Sequence, residues 1–125
     1  MAVSYTTAGK GLVVDLIDNS ITAATFFIAW GTGGSSTGST ATVGDTALQA
    51  EATEVRGTAV ASQPAADTNQ FVATLTNQKA GGKTVEEAGV LNIATGGVLL
   101  IRTTHGGVAL ATGDSIQYTF TLQQT

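Results

Sequence analysis

A mainly β chain, folded as an antiparallel β-sandwich or jelly-roll-like barrel with one short N-terminal helix, is the architecture these 125 residues predict. Three observations carry that expectation. Ser115–Leu122 places Ile116, Tyr118, Phe120 and Leu122 on every second residue, with Gln117, Thr119 and Thr121 between them; that is the period of a strand with one buried face. Glycine pairs at 81–82, 96–97 and 106–107 punctuate the second half of the chain as turns. Finally, 22 Thr, 19 Ala and 16 Gly make up nearly half of the sequence, and threonine is β-branched and suits strands. The length fits one domain over residues 1–125, and no internal repeat is visible.

The elements follow in order. Residues 1–11 read as an extended arm. Lys10–Asn19 reads as a short helix, because Leu12, Val13, Leu16 and Ile17 fall on one helical face. Thr25–Ala29 is a buried strand ending at Trp30. Residues 31–44 open with a Gly/Ser/Thr run and read as a flexible loop. Asp45–Glu54 reads as a helical turn with Asp45 as N-cap, and Glu54–Ser62 as a strand broken at Pro64. Phe71–Thr76 alternates as a half-buried strand, followed by a surface hairpin turn at Lys79–Lys83. Thr84–Ile93 and Val98–Thr103 are strands joined by a hairpin at Thr95-Gly96-Gly97, whose glycines supply the positive φ of primed turns. Gly106-Gly107 reads as a further turn before the last strand.

Composition excludes several functions. Charged residues are 11% of the chain, against about 25% in an average soluble domain. Five Lys+Arg and a net charge of −4 leave little with which to neutralise phosphates, so no nucleic-acid partner is expected. One His and no Cys exclude a zinc site of imidazole and thiolate. The N-terminus has no basic stretch followed by a long apolar one, so no signal peptide is expected. The most apolar window, Ile21–Trp30, has ten residues, half of what a helix needs to cross a bilayer. No membrane partner is expected. A mean hydropathy of +0.23 with so few charges suggests a surface covered by partners.

No catalytic constellation stands out. Gly82-Lys83-Thr84 matches the tail of a phosphate-binding loop, but the glycine required five residues earlier is Asn77. The carboxylates form no calcium-loop series. His105 stands alone before the 106–107 pair. We therefore expect no enzyme activity, cofactor or metal. Six residues are candidates for an interface: Tyr5 as an aromatic anchor, Trp30 as an edge-of-core anchor first and a hot spot under a neighbouring subunit second, Glu86, Glu87 and Arg102 as a charge pair across strands or across subunits, and His105 as a polar contact.

Ordered motifs carry a resemblance. A strand ends in Trp30-Gly31-Thr32-Gly33; Asp45-Thr46-Ala47-Leu48-Gln49-Ala50-Glu51 follows; then Glu87-Ala88-Gly89-Val90-Leu91-Asn92 leads into Thr95-Gly96-Gly97 and Leu100-Ile101-Arg102. Over about residues 10–122 the chain resembles small virion proteins of tailed bacteriophages. Trp30, in place of an aliphatic residue, and the Ser/Thr/Gly insert at 35–41 depart from that pattern. The resemblance implies a capsid decoration (cement) protein. Such a protein would be made in the bacterial cytoplasm, assemble as a homo-oligomer (a trimer), and bind the major capsid protein on the outer surface of the virion. Residues 1–11 or 31–44 would then dock as an extended segment. A tail, fibre or baseplate component is the alternative, and a carbohydrate-recognition module a more distant one.

Overall fold

A computed structural model describes residues 2–17 and 25–123. It is a two-sheet antiparallel β fold with one short N-terminal helix, as the sequence predicts. Strand β1 (Ala2–Tyr5) leads into helix α1 (Thr7–Ile17). Then come β2 (Phe27–Gly31), β3 (Gly57–Thr58), β4 (Val60–Ala65), β5 (Thr68–Thr76), β6 (Lys83–Leu91), β7 (Leu99–Leu110) and β8 (Ser115–Gln123). The larger sheet has the order β1-β7-β6-β2-β3 and the smaller β4-β5-β8. Asp18, Asn19 and Ile21–Ala24, parts of the expected helix and of the apolar window, lie outside the described residues, as does Met1.

The core lies between the sheets. Ile28, Trp30, Val85, Ala88, Val90 and Ile101 of the larger sheet meet Phe71, Ala73, Leu75, Tyr118, Phe120 and Leu122 of the smaller. In β5 and β8 the buried residues alternate with polar ones that face away. A second small cluster of Ala29, Leu48, Leu91 and Leu99 is built from the larger sheet and the 45–52 segment.

The N-terminal segment is not a free arm. Ala2–Tyr5 pairs with Thr104–Ile101 of β7, so one side of its backbone is used within the fold. The helix starts earlier than expected because Thr6 caps it: the Gly9 N–H donates to Thr6 Oγ1 at 2.9 Å. Gly9 is required where α1 meets β7, since a Cβ there would lie 2.6 Å from the Leu100 carbonyl oxygen.

Three other expectations differ. Asp45–Glu54 is not helical; its Gln49 and Ala50 N–H groups donate to the Glu87 carboxylate rather than to helical carbonyls. Gly106-Gly107 does not turn the chain. It lies inside β7, where Glu86 alone stands against residues 105–107 between the Val85–Val108 and Glu87–Thr104 pairs, a bulge that glycine accommodates. The 54–62 strand is divided, with β3 in one sheet and β4 in the other, and Pro64 sits within β4 at an irregular stretch of an edge.

The Lys79–Lys83 segment joins β5 to β6 and so crosses between sheets instead of closing a hairpin. Asn77, fully buried, fastens it. Its amide Nδ2 donates to Leu110 O at 2.9 Å, and its Oδ1 accepts from the Lys79 N–H at 2.9 Å. The expected hairpin at Thr95-Gly96-Gly97 is present, with φ of 68° at Gly96 and 82° at Gly97.

Candidate functional site

Two of the buried charges, Glu87 and Arg102, form a clamp. Glu87 of β6 and Arg102 of β7 are diagonal neighbours, since Glu87 pairs with Thr104 and Gly89 with Arg102. Both are buried, at 0% and 1% exposure. Arg102 Nε donates to Glu87 Oε1 at 3.0 Å, its Nη1 to Asp45 Oδ2 at 2.8 Å, and its Nη2 to Ser39 O at 2.9 Å. Glu87 also accepts backbone N–H bonds from Gly33, Gln49 and Ala50 at 3.0, 2.8 and 2.7 Å. A carboxylate with this many donors and a guanidinium with this many acceptors satisfy the rule for burying an ion pair.

Neighbouring Glu86 repeats the device. Its Oε1 accepts the Ser36 N–H at 3.1 Å, and its Oε2 accepts the Ser36 hydroxyl. These bonds hold the Glu86 carboxyl below the usual carboxylate range, with a smaller contribution from His105. Burial of Asp45 alone would raise its pKa; bonds from Thr42 and Arg102 outweigh that and hold it low. Together these acids tie the 31–52 segment to the outer side of the larger sheet. Residues 31–44 read as flexible by composition, yet Gly31, Gly33, Gly34 and Ala41 are buried.

The clamp therefore corrects the interface assignment of Glu87 and Arg102. Their charges are consumed inside the chain and cannot pair across subunits. Trp30 is a core residue, at 1% exposure, as its first reading has it, with the Lys83 ammonium 5.0 Å from its ring centroid. Lys83 is ion-paired with Glu54. Tyr5 is half-buried against the main core, and Lys10 Nζ lies 5.5 Å from its ring centroid. His105 links the two sheets through a 2.8 Å bond between Nε2 and Tyr118 Oη, and burial pushes the Tyr118 hydroxyl up. The six candidates are thus not gathered into one surface.

Among the described residues the surface that remains carries few charges. Among the described residues the exposed charged side chains are Lys10, Glu51, Asp67, Lys79 and Asp114. Glu51 is bonded by Arg56 at 2.7 Å, Asp67 accepts from Thr68 and from Gln123 of β8, and Asp114 accepts the Ala111 N–H of its own turn. The smaller sheet has no charge at all: VASQPA, TNQFVATLT and SIQYTFTLQ contain no Asp, Glu, Lys, Arg or His. Its outward rows are Val60–Val72–Thr119, Ser62–Gln70–Thr121, Thr74–Gln117 and Thr76–Ser115. Val60 is 71% exposed. This polar but charge-free face is the candidate functional surface. Motif reading passed over it because it contains no motif; plotting charge against the predicted strands would have shown it.

Among the described residues no group of His, Cys, Asp or Glu is placed to hold a metal, and no helix is long and apolar enough to cross a membrane. No family model matches this chain, and no curated protein sequence matches it.

Proposed function

We propose that this chain is a capsid decoration (cement) protein of a tailed bacteriophage, lying on the outer surface of the head and stabilising it through protein–protein contacts with the major capsid protein. The motif resemblance supplies the virion. The observation that carries an assembly role is the charge-free smaller sheet. A freely diffusing domain keeps about a quarter to a third of its surface charged for solubility. Interface cores, by contrast, are depleted of charge. The clamp adds to the reading, because it fixes the longest connection of the fold in one shape before any partner arrives, which lowers the ordering cost of docking. Docking runs through the sheet face rather than through an extended arm at 1–11, since Ala2–Tyr5 is paired with β7 and Thr7 onward is helical.

The test is a quantitative gel of purified virions of the phage that encodes the chain. Copies in the hundreds per particle are expected. A handful of copies would place it in the tail, and absence from the particle would sink the proposal. Thr74→Lys, at an exposed mid-sheet position, is expected to abolish capsid binding while the chain stays folded.

A further inference from the structure

The two sheets have four edges, and three of them are blunt. β1 has four residues and β3 has two. β4 is interrupted by a register irregularity between Ser62 and Ala65 that contains Pro64. These are the devices by which proteins stop edge strands from pairing with other chains. β8 has none of them. It runs nine residues, Ser115–Gln123, and pairs with β5 without a register break from Thr68–Gln123 to Thr76–Ser115. It carries no charge and no proline. Among the described residues no strand pairs with its other side.

The order of residues in β8 says what fits there. Read outward from Thr119, Tyr118 mirrors Phe120, Gln117 mirrors Thr121, Ile116 mirrors Leu122 and Ser115 mirrors Gln123. The strand is chemically palindromic. Antiparallel pairing with an identical strand about Thr119 would therefore set aromatic against aromatic, aliphatic against aliphatic and polar against polar over all nine positions. Self-complementarity of this kind is what a two-fold interface requires. Shifting the register by two residues either way leaves the strand ends unpaired and brings Asp114 opposite Leu122 in one direction.

We propose that β8 is a dimerisation edge, joining two copies across a two-fold axis at Thr119 into a continuous six-stranded sheet. Resting on the docking function proposed above, the pairing also answers a question of area. Nine residues at about 3.4 Å and three strands about 4.8 Å apart give a face of about 400 Å². Two joined faces give about 800 Å², the size that a standard interface contributes per partner. A two-fold contact replaces the three-fold one that the phage resemblance implies.

The test needs no capsid, so its failure is separate from that of the docking function. Sedimentation of the purified chain at micromolar concentration should give a dimer. Thr119→Lys should weaken it by about tenfold, since two ammonium groups then face each other. Mixing Thr119→Lys with Thr119→Glu should restore it. The chain has no cysteine, so Thr119→Cys introduces a single thiol. Directly opposed residues place their Cβ atoms about 5 Å apart, and this variant should cross-link to itself under mild oxidation while Thr74→Cys, away from the edge, should not. A monomer, a trimer, or a dimer that ignores every change at 119 would overturn the proposal. Circular dichroism of each variant separates lost pairing from lost folding.

Discussion

Arg102 is the most consequential single side chain in the molecule. Removing it leaves Glu87 buried beside three N–H donors with its counter-charge gone, and releases Asp45 and Ser39 together. Arg102→Met is expected to cost about 3–5 kcal/mol in chemical denaturation, the range for breaking a buried pair from one side. Acid should act on the same region through Glu86 and Asp45. Both carboxyls are held below their ordinary values in the folded chain. Their contribution is therefore complete above the unfolded carboxylate range, at about pH 4, and is lost as pH falls through the lower folded values. Melting temperature should drop on the acid side of pH 4, and Glu86→Gln should flatten that drop. Half of this site was legible in the sequence. That Arg102 would meet Glu86 or Glu87 follows from two strands around a Gly-Gly hairpin. The choice between them depends on the bulge opposite Glu86, and the third partner, Asp45, stands 57 positions away, where no local pattern reaches.

At the level of elements, legibility followed periodicity. β8 has an unbroken two-residue period and was readable almost to its ends. The β6–β7 hairpin was readable from Gly96-Gly97, because positive φ at successive residues is a glycine signature. Gly106-Gly107 presents the same pair and means something else: neither residue has a positive φ, and what the bulge asks is space, since a Cβ on Gly107 would lie 2.7 Å from Thr84 Cγ2. The helix start was missed because its signal is one threonine at position 6 followed by two glycines that are poor helix formers. Two substitutions test these placements. Gly97→Ala should destabilise the hairpin by about 1–2 kcal/mol, as its Cβ would come within 2.5 Å of Asn92 Oδ1. Gly9→Ala should cost about 1–3 kcal/mol by overpacking and raise amide exchange in α1 while leaving that of β5 and β8 unchanged.

For the whole molecule, the two sheets share one core and should melt as one. Trp30 is the single tryptophan and lies in the larger sheet, while far-UV circular dichroism reports all strands. Their thermal transitions should coincide; separate midpoints would show that the sheets are independent units. The distribution of charge also has meaning only at this scale. Composition counts 14 charged residues without saying that Glu86, Glu87, Arg56 and Arg102 are buried, so the solvent-facing surface is poorer in charge than the sequence suggests. The clamp, finally, sets an order of events in time. The N–H donors at Gly33, Gln49 and Ala50 leave the ribosome long before the carboxylate and guanidinium that hold them. The 31–52 segment must therefore wait, undocked, until the β6–β7 hairpin has been synthesised and has closed. Nascent chains stalled before Arg102 should lose that segment to a non-specific protease, and chains extended through β8 should keep it. A segment made early thus takes its final shape only after residues made much later.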